Sequence, residues 1–239
     1  MSAANLTLLS TAIGSLPYTD PLTAVRVMTE NVDIPAWPQL PRRSFLENMY
    51  VQYSEGFPGV MLDHVQERIW VDRSRDLNPG LERLYAAYLE NDLDYAAISP
   101  DYAAGLHAFL GTQGLGDSGT QTGNRQSAIT VKGHVTGPIS WGLTVTDENR
   151  RPILYDEVLA DAIAKHLKLK AAWQERELRQ LSPQTITFVD EPYMSAYGSG
   201  FFSLERELVI NLLTETMSGL QGLVGVHCCG NTDWSILME

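Results

Sequence analysis

Short β-compatible runs alternate with helical stretches along the whole of this chain, and that alternation limits the fold more tightly than any single motif. The runs fall at residues 6–13, 32–37, 95–99, 128–135 and 185–189, and a sixth, Leu223-Val224-Gly225-Val226, rises into His227. Most are closed by Gly, Pro, Ser or Asp, which punctuate strands. Between them, Asp20 can cap a helix with Pro21 at its first position and Leu22, Val25, Val27 and Met28 on its apolar side. Ser44 and Glu47 stand at capping-box spacing, and Leu62-Asp63-His64 reads as a helical start. Asn78-Pro79 opens a helix in which Leu81, Leu84, Tyr85, Tyr88 and Leu89 recur at helical spacing, and Pro100-Asp101 starts another. Longer helices are expected over 155–181 and 204–220, while the Gly-, Ser-, Thr- and Gln-rich stretch 111–126 reads as a surface loop. No hairpin signal interrupts the alternation, so parallel pairing through right-handed crossovers is expected.

The strand ends sharpen this. Gly14-Ser15, Ser99-Pro100-Asp101, Thr136-Gly137-Pro138, Asp190-Glu191-Pro192 and His227-Cys228-Cys229 all gather polar or turn-forming residues where a β-compatible run stops. Chemistry collected at strand carboxyl ends is how a (β/α)8 barrel builds its site. A doubly wound sheet is second choice, because no Gly-x-Gly-x-x-Gly turn follows the first run. With six strands and a chain that stops at Leu237-Met238-Glu239, the expectation is a single TIM-barrel domain over 1–239, cut off after strand 6. About 60 further residues would be needed to close it.

Composition narrows the function. At 44% hydrophobic residues the chain can bury a substantial core. A formal charge of -12 leaves no cationic surplus for nucleic acid or an anionic membrane surface. No apolar stretch reaches membrane-spanning length, and no signal peptide opens the chain, so a cytoplasmic protein is expected. The only cysteines are the neighbours Cys228 and Cys229, which excludes a disulfide framework.

Within one strand, His227 and Cys229 would share a face, and imidazole and thiolate are ligands that zinc favours. Two ligands are fewer than an open zinc site needs, and buried Cys is also ordinary core. Asp190 and Glu191 would face opposite ways at a strand end, so only one can look into the mouth; a helix cap or a surface ion pair is the competing reading. His134, inside a strand, reads as a hydrogen-bonded core or lining residue. His64, His107 and His166 read as helix-surface residues, and Trp141 as packing or a pocket wall.

Taken in order, four segments resemble the catalytic domain of cobalamin-independent methionine synthase, within the superfamily that includes uroporphyrinogen decarboxylase and corrinoid-linked thiol methyltransferases. They are Ile13-Gly14-Ser15-Leu16-Pro17, Lys132-Gly133-His134-Val135-Thr136-Gly137-Pro138, Val189-Asp190-Glu191-Pro192 and His227-Cys228-Cys229. The resemblance implies a cytoplasmic methyltransferase of methionine biosynthesis that methylates the thiol of homocysteine, bound through Zn. His227 and Cys229 would be metal ligands, Ser15 would take the substrate carboxylate, and Asp190, the catalytic carboxylate, its ammonium. Glu55 would be a second carboxylate at that ammonium. Methylcobalamin, a corrinoid protein or methyltetrahydrofolate would supply the methyl group. There is no room for the second barrel of the folate-using enzymes, which favours a corrinoid donor, and no Cys follows Cys229 to complete the metal site. Other readings are uroporphyrinogen decarboxylase-like chemistry, for which Arg42-Arg43 is the only nearby arginine pair, a coenzyme M type methyltransferase, and an inactive barrel fragment kept for binding. Homodimer formation stays open.

Overall fold

The computed structural model describes residues 8–112, 130–199 and 204–238. Its longest element is the helix α5 (Glu157–Leu178), started by Asp156, whose carboxylate accepts hydrogen bonds from the N–H groups of Val158 and Leu159. That cap satisfies two of the donors every helix start leaves open. α5 is buried over most of its length because it packs on both sides. One side meets the strand β3 (Thr130–Thr136) and the other the helices α2 (Asn78–Glu90), α4 (Pro138–Thr144) and α6 (Arg206–Met217).

β3 lies beside β5 (Gln184–Asp190), and β5 beside β6 (Leu223–His227), all parallel, in the order β3-β5-β6. Every residue of β3 is buried. Its flank away from β5 is approached by two extended segments joined only through isolated parallel bridges, Ala36 with Lys132, Thr11 with Ile34 and Ser15 with Gln39. Gln174 of α5 stands in for part of the missing ladder. Its Oε1 accepts from the His134 N–H at 2.8 Å and Trp37 Nε1 at 3.0 Å, and its Nε2 donates to the His134 carbonyl at 2.9 Å. Gly133 is required here, since a side chain would run into Gln174.

A second sheet is independent of the first. β1 (Val60–Asp63) and β2 (Arg68–Val71) form an antiparallel hairpin, and the two-residue β4 (Thr146–Asp147) adds to β2 in parallel. Asp63 Oδ1 accepts from the N–H groups of Val65 and Gln66, and Glu67 takes φ 48°, which closes the turn.

The expected barrel, truncated or otherwise, is therefore not the fold. Among the described residues the chain forms two small open sheets of three strands each. Several expectations fail for local reasons. Residues 95–99 are not a strand, because Asp94–Ala96 forms a 3-10 turn. In the described parts of 6–13 and 32–37 no strand forms: Leu8 takes φ 63° and the rest reaches its neighbours only through isolated bridges. The segment read as a helical start at Leu62 is the β1–β2 hairpin. Ser44 caps only a three-residue 3-10 turn, Phe45–Glu47, and the helix after Pro100 starts later, as α3 (Ala104–Leu110). The long helices hold with trimmed ends, as does α1 (Pro21–Asn31), whose cap Asp20 accepts from the Thr23 N–H at 2.8 Å. Of the expected loop 111–126, residues 113–126 lie outside the described residues.

Candidate functional site at the strand carboxyl ends

Parallel register aligns Thr136 of β3 with Asp190 of β5, and Asp190 with His227 of β6. Side chains opposite one another in a parallel pair share a face, so these three stand in a row where the strands end. The bridge between Ser15 and Gln39 lies at the corresponding end of the two extended segments. Ser15 is exposed, held by the Gln39 N–H donating to the Gly14 carbonyl and the Leu16 N–H donating to the Gln39 carbonyl, both at 2.9 Å. Ligands of open α/β sheets bind outside the carboxyl ends of strands.

The neighbours Asp190 and Glu191 have divided their roles. Glu191 is fully buried: Oε1 accepts from the Ile139 N–H at 2.9 Å, and Oε2 from the Ser140 N–H at 2.8 Å and Ser140 Oγ at 2.6 Å. It is the cap of α4 contributed from a different strand. Burial pushes its pKa up to about 7, against the pull of those three donors. Asp190 is also buried, but its Oδ1 has no hydrogen-bond partner among the described residues. Burial raises its pKa to about 7, opposed by the positive charge of Lys132.

Lys132 was not singled out by the sequence, and its weight comes from burial, since every residue of this seven-residue strand is buried. Its Nζ donates to the Ala12 carbonyl at 2.7 Å and packs 4.3 Å from the Phe188 ring. It shares a face with His134 and Thr136. His134 is buried and stacks on Trp37 with ring centroids 4.0 Å apart, but neither ring nitrogen has a partner among the described residues. The expected hydrogen-bonded core histidine is thus only half right.

The expected metal pair, His227 and Cys229, straddles the end of a strand. β6 ends at His227, so the alternation that would put Cys229 on the same face stops before reaching it. His227 is partly buried, and burial together with the charge of Lys132 lowers its pKa. Cys229 is exposed, near enough to Tyr50 to act on its hydroxyl together with Tyr193 and Glu191. Among the described residues no group of three or more His, Cys, Asp or Glu side chains is placed to hold a metal ion. An open zinc site needs about three protein ligands, so the described donors do not fit one by themselves.

Glu55 is engaged elsewhere. Its Oε2 accepts from the Ser99 N–H at 2.8 Å, and its charge supports the buried Lys170, whose pKa burial lowers to about 8. Lys170 Nζ donates to the Ala97 carbonyl at 3.2 Å. The other histidines meet the helix-surface expectation only in part, His107 lying half-buried on α3. His166 is buried with Nε2 2.7 Å from the Tyr53 carbonyl, His107 Nε2 lies 2.7 Å from the Ile98 carbonyl, and His64 is exposed in the hairpin turn. Trp141 is fully buried and donates to the Tyr50 carbonyl at 2.7 Å, so it is packing. A separate groove of about 470 Å³, lined by residues such as Leu154, Lys165, Leu208 and Glu215, shares no residue with the strand-end row.

No family model matches the chain, and neither curated proteins nor solved structures give a match. Among the described residues no helix is long and apolar enough to cross a membrane.

Proposed function

We propose that the strand carboxyl ends bind a small thiol-bearing amino acid, of which homocysteine is the type, and that the chain is a methyltransferase acting on that thiol. The observation that carries the reading is Asp190: a buried carboxylate at a strand end whose Oδ1 has no partner among the described residues. A carboxylate kept from water gains most from a cation that arrives with a ligand, and a charge-assisted hydrogen bond to an ammonium is the strong form of that pairing. Ser15, exposed in the same row, is available to the ligand carboxylate. The order of the four segments that resemble methionine synthase supports methyl transfer as the chemistry.

In that reaction the S–H bond of the thiol is replaced by S–CH3, the donor's bond to methyl breaks with its electron pair left on the donor, and the proton passes to the demethylated donor or to solvent. Methylcobalamin, a methylated corrinoid protein and methyltetrahydrofolate are the donor classes the reading admits. Zinc would supply thiolate activation, but with only His227 and Cys229 as donors no step here runs through it. The role of this chain's residues is to hold the amino acid and keep its ammonium fixed while the sulfur reacts.

The test is direct. Protein incubated with L-homocysteine and either methylcobalamin or 5-methyltetrahydrofolate, with zinc added, is expected to form methionine, detected by mass spectrometry and lost in Asp190→Asn. Homocysteine binding without methionine formation would remove the methyltransferase reading. Absence of both would remove the amino-acid reading as well.

A further inference from the structure

His134 and Thr136 occupy alternate positions of β3 and so face the same way, and register sets Thr136 opposite Asp190. On that face three buried side chains carry polar atoms without a hydrogen-bond partner among the described residues: both ring nitrogens of His134, Oγ1 of Thr136 and Oδ1 of Asp190. Buried polar groups in folded proteins are nearly always paired, by protein, water or ligand. Three unpaired residues on one face, at and just before the strand ends, are what a polar ligand group would satisfy.

Their chemistry restricts which group. The Asp190 carboxylate accepts hydrogen bonds, and a threonine hydroxyl accepts through its lone pairs. Burial holds the His134 pKa well below the ordinary histidine range, so the ring is neutral and one nitrogen is an acceptor. The ring is held in place, with Trp37 stacked on it and Gly14 against it so closely that a side chain at Gly14 would overlap it. Gly14 also takes φ 132°, a conformation that favours glycine. The nearest internal cation, Lys132, is occupied by the carbonyls of Ala12 and Ile13 and the Phe188 ring. A primary ammonium brings three N–H donors to three acceptors.

We propose that His134 and Thr136 join Asp190 in a three-acceptor pocket for a primary ammonium, making the site selective for α-amino acids over their des-amino analogues. The inference rests on the reading of Asp190 as the ammonium site.

Calorimetric titration of the full chain with L-homocysteine and with 4-mercaptobutanoate, which lacks only the amino group, tests it. Wild type is expected to prefer L-homocysteine by about tenfold or more, as the loss of one charge-assisted hydrogen bond implies. Thr136→Val and His134→Phe should each shrink that preference severalfold, weakening L-homocysteine binding more than 4-mercaptobutanoate binding. If Asp190→Asn abolishes the preference while both of those variants keep it, the pocket is overturned and the Asp190 reading survives. If wild type shows no preference, or binds neither compound, both are overturned. Should His134→Phe lose its thermal transition, Thr136→Val, nearly isosteric, decides alone: a kept preference overturns the pocket.

Discussion

β3 and β6 flank the same strand, yet they are built to different standards. All seven residues of β3 are buried, with α5 behind it and Gln174 bonded to the backbone of its middle. In β6, Leu223 and Val224 are exposed, and among the described residues nothing pairs with its outer edge. Beyond its ladder with β5, β6 is held at its start, where Glu175 accepts from the N–H groups of Gln221 at 2.7 Å and Gly222 at 2.6 Å. The β3–β5 half of the strand-end row therefore presents fixed groups, Asp190 among them, while the β6 half, with His227 and Cys229, is open. Preorganisation belongs to the first half, so binding selectivity is expected there.

The sharpest way to break this comparison is to damage the fixed half. Glu191→Ala leaves the Ile139 and Ser140 donors buried and unpaired, and a loss of about 3–5 kcal/mol is expected in urea unfolding; a loss under about 1 kcal/mol would mean the cap of α4 carries little of the fold.

Asp190→Asn, one residue away, should act in the opposite direction. The folded-state pKa of Asp190 is raised to about 7. The folded protein therefore holds this proton more tightly than the unfolded chain does. The stabilisation it gives is complete below the unfolded value of about 4 and is lost as pH rises through 7. Asp190→Asn should thus gain about 2–4 kcal/mol on wild type between pH 4 and pH 8. Urea melts at both pH values check this, and an unchanged difference would show Asp190 to be an ordinary solvated carboxylate.

Smaller effects compare the two strands directly. Val135→Ala in β3 should cost about 2 kcal/mol, and Val224→Ala in β6 under about 0.5 kcal/mol. Equal shifts in urea midpoint would erase the contrast. The least perturbing test is zinc. With two donors in the described residues, calorimetry should find binding weaker than about 1 μM, little changed by Cys229→Ser. A nanomolar site lost in Cys229→Ser would show that a third ligand completes it.

The helices were largely legible because their signals are local. Asp20-Pro21 and the apolar spacing after Asn78 are read within one turn or two. Pairing is not local. Val60 to Val71 forms a hairpin around a four-residue turn without Gly or Asn, which carries no short-turn signature, and its partner Thr146 lies 75 positions beyond. The assignment of strands failed for the same reason, since β-compatibility at 95–99 cannot reveal that the backbone turns at Asp94 instead. Of the site, that Asp190 and Glu191 face opposite ways followed from strand alternation, but not that Glu191 would cap α4 from across the chain. His134 and Lys132 were hidden because their meaning lies in what they lack or reach, an unpartnered ring and a carbonyl 120 positions away. Strand alternation could not speak for Cys229, because β6 ends at His227, two residues before it.

The central claim is that Asp190 is a carboxylate kept for an incoming ammonium, and carbon NMR of its side-chain carboxyl tests it most directly. In the free protein it should titrate at about 7, and saturating L-homocysteine should lower that midpoint by more than about one unit, because an opposite charge at contact favours the ionised form. A midpoint near 4 in the free protein, unmoved by the ligand, would contradict the account.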